Sequence, residues 1–288
     1  MKPKLKKFLL KIVCCFVPFR RMRIRIRGNF DRIFYYKAKK ALLLAPQIET
    51  VVLGSSHAQS GFCETKQDVN LGISSQDLYY SYQLYMKCRL MFSNLKRVVL
   101  YYSDFPAGFE EERSHMIFES LKYNQYFGIP PKNPVLYEEK NLDTTLKFAP
   151  FESKELTFDD PFPFPFFSAG LTTPEGIKTR VEKHLKNAQR NNNQTAFVEK
   201  LIRAVIADGL QLLIVVPPVT AEYLSYVPAD LNVFEPLETV LDKYRGRVRY
   251  LNCYRDSAFI REDFADCDHL NRQGAEKLTA KIHKAFGE

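Results

Sequence analysis

Three short segments hold side chains whose types and spacing could do chemistry. The first is VVLGSSHAQSGF, residues 51–62, in which an apolar run ends at Gly54 and Ser55, Ser56 and His57 follow in the turn. The second is Asp266-Cys267-Asp268-His269-Leu270-Asn271, with an aspartate three residues before a histidine. The third is Asn70-Leu71-Gly72-Ile73-Ser74-Ser75. A serine hydroxyl is a poor nucleophile until a base takes its proton. An imidazole does this best when a carboxylate fixes its tautomer and stabilises the imidazolium. A D-x-x-H in a tight loop places both groups toward one point, and Asp268 competes with Asp266 for the carboxylate role. Glycine in a loop before a helix exposes an N–H to a developing oxyanion. Each segment alone is ordinary: a strand-end serine usually only turns the chain, and a lone D-x-x-H is usually a satisfied surface loop. Their joint occurrence is not ordinary. His57 is read as a substrate contact or proton partner, against the alternative of a solvent-facing turn residue, and Asn70 is grouped with it as a substrate contact.

These segments need elements to position them. Thr50–Gly54, Arg97–Tyr102, Leu210–Pro217 and Val248–Cys253 are apolar, β-branched runs of strand length, as in strands buried on both faces of a parallel sheet. Helical patterns lie between them. Ser74–Asp77 reads as a capping box ahead of a helix over Leu78–Met91. Phe197, Leu201, Ile202, Val205 and Ile206 form a stripe at helical spacing, closed by Gly209. Asn271 is a fitting N-cap for a last helix running to Ala285. Alternating strands and helices predict a three-layer α/β/α fold with a doubly wound, flavodoxin-like parallel sheet, whose ligand site lies beyond the strands' C-terminal ends.

Residues 104–193 fit that alternation poorly. They are rich in Phe, Pro and Tyr, and DDPFPFPFFSAGLTTPEG at 159–176 is too dense in proline for a regular helix or a central strand. The reading is an insertion that serves as a lid or substrate wall, or that merely covers the sheet. The domain layout is then a basic segment over residues 1–45 and a catalytic domain over 46–288 that carries the insertion.

Charge divides the chain the same way. Residues 1–40 hold 14 Lys or Arg and one acid, Asp31, while the remaining 248 residues hold 28 bases and 32 acids. A nucleic-acid enzyme spreads basic residues over its body, so no nucleic-acid partner is expected. The apolar run near the start is interrupted by Lys11 and is too short to span a bilayer. Flanked by basic clusters, it suits an anionic membrane surface, the alternative being a packed basic helix and strand. Six cysteines without a CxxC pair or zinc spacing read as free thiols in a reducing compartment. The expected location is the cytoplasm, peripheral on the inner face of the cell membrane. No metal site is expected.

Together the three segments resemble the SGNH (GDSL-type) hydrolase and acyltransferase superfamily, in order over residues 50–285. The tail DHLNRQGAEKLT is the most specific part and is similar to a branch tied to bacterial cell-surface polysaccharide modification, in which G-S-S replaces G-D-S. The resemblance implies Ser56 as nucleophile, His269 as base and Asp266 as orienting acid. It implies an oxyanion hole from the N–H groups of Ser56 and Gly72. Two positions depart from the pattern. Ser55 stands where aspartate is usual, and the G-x-N-D turn is replaced by Tyr101-Tyr102-Ser103-Asp104. Ser103 then stands in for the asparagine donor, whose loss typically costs about 2.7–4 kcal/mol in the transition state.

The expected function is O-acyl transfer, most simply of acetyl, to a sugar of a surface polysaccharide or its precursor. A cytoplasmic site would make acetyl-CoA the donor, with no bound cofactor. An esterase or deacetylase with the same three residues is the second reading, and a glycan-binding or assembly protein that kept the fold is the third.

Overall fold

The computed structural model describes residues 29–140, 142 and 157–287. The apolar run and basic clusters near the start, expected to meet a membrane surface, lie outside the described residues, and of the basic segment 1–45 only residues 29–45 are described. Among the described residues no helix is long and apolar enough to cross a membrane.

The four apolar runs form strands, and a fifth joins them. They are β1 (Thr50–Leu53), β2 (Asp68–Asn70), β3 (Arg97–Tyr101), β4 (Gln211–Val216) and β5 (Arg249–Asn252). All pairings are parallel, in the order β2-β1-β3-β4-β5. That order reverses direction between β1 and β3, and ligands of open α/β sheets bind in the crevice beyond such a switch point. Ser56 follows β1 and Asp104 follows β3, so both stand at it.

The described helices are α1 (Asn29–Leu43), α2 (Ser56–Gly61), α3 (Leu78–Met91), α4 (Ile117–Phe127), α5 (Pro134–Glu139), α6 (Pro174–Ala188), α7 (Thr195–Ala207), α8 (Ala221–Ser225), α9 (Glu235–Asp242) and α10 (Arg272–Phe286). Along each central strand alternate side chains face opposite layers. Val52, Val99, Tyr101, Leu213 and Val215 share a core with Ala58 of α2 and with Leu278 and Ile282 of α10. On the other side α7 packs against both α3 and α9, with α3 against β1 and α7 against β4. Val51, Leu53, Val98, Leu100, Leu212 and Ile214 are as buried as the first set, so the sheet is covered on both faces. The layers are α/β/α.

The described residues fall into two compact units. The small one draws on residues 29–38, 112–140 and 142. Its core is Ile117, Leu121, Tyr137 and Leu142, with Phe34 edge-on to Tyr123 at 4.8 Å. The large one, residues 39–111 and 157–287, holds the sheet and every residue discussed below. The stretch 104–193 is irregular over 157–168 but elsewhere carries α4, α5 and α6. Thr173 caps α6 by accepting from the Gly176 N–H, with Pro174 at its first position, where proline's missing N–H costs nothing.

The capping box expected at Ser74–Asp77 is not formed. Asp77 itself is the N-cap of α3, accepting from the Tyr80 N–H at 3.0 Å. Its short carboxylate already satisfies one of the open N–H groups of the first turn.

Candidate active site

β1 delivers Ser56. Gly54, directly after the strand, has φ +136, and a Cβ there would lie 2.8 Å from Tyr101 Cβ and 2.9 Å from the Tyr101 carbonyl oxygen. Only glycine adopts that backbone while passing so close to β3. The chain then enters α2 with Ser56 as its first residue and Ser55 as N-cap. First-turn N–H groups have no intrahelical acceptor, and the Ser56 N–H meets none among the described residues.

The D-x-x-H loop comes from the far end of the chain, between β5 and α10. Asn271 caps α10 through the Gly274 N–H. A Cβ at Gly274 would lie 2.1 Å from the Asp263 carbonyl, so the helix starts hard against the loop and fixes it. His269 Nε2 lies 2.9 Å from Ser56 Oγ. Its Nδ1 lies 2.9 and 3.1 Å from the two carboxylate oxygens of Asp266. Asp266 also accepts from the N–H groups of His269, Asp268 and Ser168 at 2.9, 3.2 and 3.1 Å. The contacts place the Nδ1 proton toward Asp266 and leave Nε2 free to accept from Ser56. Sequence reasoning brought together Ser56, His269 and Asp266, and the structure does the same.

A second carboxylate reaches the same imidazole. Asp268 Oδ1 lies 3.2 Å from His269 Nδ1. Its Oδ2 accepts from Arg180 Nε of α6 at 2.9 Å, lies 3.3 Å from His57 Nε2 and stands 4.0 Å from His184 Nε2. His184, one turn beyond Arg180, places Nδ1 2.8 Å from both Asp104 Oδ1 and Tyr223 Oη. Tyr223 and Tyr254 donate to Asp104 Oδ2 at 2.6 and 2.9 Å. Burial works against charge throughout. It depresses His57 to about 4, against the pull of Asp268, and it lowers His184, helped by Arg180. It also opposes ionisation of Asp268, yet Arg180 and His269 hold that carboxyl well below the usual range. For His269, burial is outweighed by Asp268 and Asp266, so its basicity lies above the ordinary value.

Several expected roles change. His57 does not face solvent: it is buried, with Nδ1 3.2 Å from Ser55 Oγ and Nε2 toward Asp268. The neutral ring donating from Nε2 and accepting at Nδ1 uses both nitrogens. Asn70 is also spent, its amide donating to the Ala58 carbonyl at 2.8 Å and its oxygen accepting the Gly72 N–H at 2.9 Å. Gly72 is therefore not a free oxyanion donor. What requires glycine there is packing, since a Cβ would lie 2.5 Å from Ala58 Cβ. Ser103, buried just past β3, makes no hydrogen bond to any described residue. His184, with no partner pattern in the sequence, belongs to the buried network, and Arg180 was not foreseen. The signal for both was Ile177, Arg180, Val181 and His184, three and four apart behind a Thr-Pro helix start.

The proline- and phenylalanine-rich stretch lies over the site. The Phe166 ring centroid is 4.1 Å from that of His269, the Ser168 N–H binds Asp266, and the Phe164 carbonyl accepts from Gln59 of α2 at 3.1 Å. Ser56 is left 5% exposed and His269 0%. Farther along the same sheet edge a cavity of about 540 Å³ opens among Asn232, Phe234, Glu238, Asn252, Tyr254 and Asp256.

The ligand atoms of His57, Asp268 and His269 come within 4.8 Å of one another. They do not suit a resident metal, because Arg180 already occupies Asp268 Oδ2 and each histidine is committed to serine and carboxylate partners.

No protein-family model matches the sequence, and no curated protein matches it. Among solved structures the chain is similar to a candidate acylhydrolase from Bacteroides fragilis, with TM-score 0.45, 10% identity, and 90% of this chain and 98% of that one covered. A GDSL-like lipase from Bacteroides thetaiotaomicron gives TM-score 0.45 and 11% identity over the same shares. A candidate lipolytic protein of the G-D-S-L family from Desulfitobacterium hafniense gives TM-score 0.39 and 8% identity, covering 82% of this chain and 98% of that one.

Proposed function

We propose that this chain is an SGNH-type serine acyl-transfer enzyme, and specifically an O-acyltransferase acting on a sugar hydroxyl of a bacterial surface polysaccharide or its precursor. The observation that carries the reading is the unbroken chain from Ser56 Oγ to His269 Nε2 at 2.9 Å and from His269 Nδ1 to Asp266 at 2.9 Å. A binding module has no use for that order of hydroxyl, imidazole and carboxylate.

In the proposed mechanism His269 takes the Ser56 proton as Ser56 Oγ attacks the acyl carbonyl. The oxyanion forms against the Ser56 N–H, with the Ser103 hydroxyl as a second donor. His269 then gives its proton to the leaving group, giving acyl-Ser56. A sugar hydroxyl enters, loses its proton to His269 and attacks the acyl carbon; the bond to Ser56 Oγ then breaks and His269 returns the proton to Ser56, leaving the acylated sugar and free enzyme. Asp266 stays ionised and holds the imidazolium. Transfer rather than hydrolysis is favoured by the cover of Phe166, which keeps water from the acyl-serine while a bound sugar hydroxyl is held in place. Acetyl-CoA is the proposed donor, with the cytoplasmic face of the membrane as the proposed location.

The test is intact-mass spectrometry of wild type and Ser56→Ala after incubation with acetyl-CoA or p-nitrophenyl acetate, following release of CoA or nitrophenol in the same tubes. One acetyl adduct on wild type and none on Ser56→Ala supports the nucleophile. Neither adduct nor release above Ser56→Ala overturns enzyme action. Acylation whose rate of decay no glycan acceptor accelerates moves the assignment to an esterase.

A further inference from the structure

Asp268 divides its two oxygens between an imidazole and a permanent cation. Oδ1 faces His269 Nδ1 at 3.2 Å, beside the Cys267 thiol at 3.5 Å. Oδ2 faces Arg180 Nε at 2.9 Å. Asp268 is 1% exposed and the Arg180 side chain 17%, so solvent screens the pair weakly. His269 thus has two carboxylates at Nδ1, Asp266 and Asp268, where one suffices to fix its tautomer. Two uncompensated buried carboxylates would hold the imidazole as imidazolium, and a base that already carries its proton cannot take one from Ser56.

We propose that Arg180 is a positioning residue for the Ser56–His269–Asp266 chain: it holds Asp268 by Oδ2 and limits how strongly this second carboxylate acts on His269. The proposal rests on the acyl-transfer reading for its catalytic meaning, while its electrostatic content stands on the contacts themselves. The remaining groups around His269 do not replace Arg180. His57 stacks on the ring but is held neutral by burial, and Phe166 is apolar. His184 stands 4.0 Å from Asp268 Oδ2 and is itself held neutral, with Nδ1 on Asp104. Ser56 carries no charge, and the Cys267 thiol is pushed above its ordinary value by burial, then by Asp268. Among the described residues at the site, Arg180 is the one permanent cation facing this cluster of Asp104, Asp266 and Asp268.

The experiment is an NMR titration of the His269 imidazole in ¹⁵N-histidine protein, with the signal assigned by its loss in His269→Gln. It is paired with the pH profile of Ser56 acylation by p-nitrophenyl acetate. Arg180→Gln is expected to raise the His269 pKa by about one unit, in the range for a nearby charge, and to move the acid limb of the profile upward equally. Arg180→Lys, keeping the charge, should restore most of the wild-type value, and Asp268→Asn should lower the His269 pKa. In the Asp268→Asn background, adding Arg180→Gln should change it little, because the effect passes through Asp268. An unchanged His269 pKa in Arg180→Gln, with only a lower unfolding midpoint, overturns the proposal and leaves Arg180 a structural ion pair. If Arg180→Gln does not fold, Asp268→Asn decides, since no fall in the His269 pKa there also overturns it. Should wild type fail to acylate at all, the functional reading falls, and the titration still tests the coupling.

Discussion

The rings of His57 and His269 lie 4.8 Å apart and 17° from parallel, yet their environments push their protonation in opposite directions. His269 has two carboxylates at Nδ1, and its proton affinity is raised over the opposition of burial. His57 has the same burial and one longer contact to Asp268, is opposed further by His269 whenever that ring is protonated, and falls to about 4. A stacked pair in which both rings were cationic would repel. In the proposed mechanism, keeping His57 neutral lets His269 take up a proton without a second cation against its face.

That difference predicts how stability depends on pH. An unfolded histidine titrates near 6.5 and folded His57 near 4, so between these values the unfolded chain binds more protons. Stability is then lost as pH falls from about 6.5 toward 4, by about 3 kcal/mol for a fully buried group. His184, also lowered by burial, adds in the same direction. His269 acts oppositely and at higher pH, its contribution fading as pH rises through its raised folded value. Urea midpoints from pH 7 to 4.5 should fall steeply for wild type and less steeply for His57→Gln, whose amide still reaches Asp268. Equal slopes would contradict a neutral buried His57.

Asp266 and Asp268 should not be equivalent. Asp266 collects three backbone N–H groups besides His269, and an asparagine there must turn its NH₂ toward a donor. Asp266→Asn is expected to slow Ser56 acylation by on the order of 10³–10⁴-fold through loss of tautomer control, with about 1–3 kcal/mol of stability lost to a mismatched buried donor. Asp268→Asn should leave acylation within about tenfold of wild type, since Asp266 still orients the ring. Stopped-flow bursts with p-nitrophenyl acetate separate them, and equal losses would refute the assignment.

What the sequence made legible was whatever obeys local rules. The central strands were plain because β1, β3 and β4 are continuous apolar runs. Ser56 and the Asp266–His269 loop were plain because a strand end and a helix start fix their neighbours by short-range chemistry. β2 was hidden: Asp68-Val69-Asn70 is three residues at a sheet edge with one apolar side chain, below the length at which alternation shows. α6 was masked by the proline-dense run before it, and its two site residues with it. Side-chain occupancy was the least legible. Whether Gly72 offers a free N–H depends on the rotamer of Asn70 two residues earlier, and whether His57 meets substrate depends on a carboxylate 211 residues away.

Asn70 tests that distinction. Its amide ties β2 to α2 through the Ala58 carbonyl while its oxygen holds the Gly72 N–H. Asn70→Ala should lower stability by about 1–3 kcal/mol, the cost of leaving buried backbone groups unpaired. Below the unfolding transition its KM for p-nitrophenyl acetate should match wild type. A raised KM with unchanged stability would return Asn70 to substrate contact.

On the proposed acyl-transfer reading, Phe166 is expected to set the fate of the acyl-enzyme. Its ring packs 4.1 Å from His269, on a segment pinned at Phe164 by Gln59 and at Ser168 by Asp266, so the cover is anchored on both sides of the ring. Shortening Phe166 to alanine removes apolar surface from above the imidazole while both anchors remain. Water then reaches the acyl-serine more easily, and acetyl-Ser56 should decay by hydrolysis about tenfold faster, equivalent to about 1.4 kcal/mol in the barrier. Ser56 acylation by a small ester should change much less, because the three reacting side chains keep their contacts. Stability should fall by no more than about 2 kcal/mol, as the ring is only half-buried. Quench-flow mass spectrometry of the acetyl adduct in Phe166→Ala and Phe166→Leu gives both rates. Faster decay with Ala and near wild-type decay with Leu identifies water exclusion as the role of the ring. Slower acylation in both with unchanged decay would instead make Phe166 a support for the His269 ring, and the preference for transfer over hydrolysis would need another source.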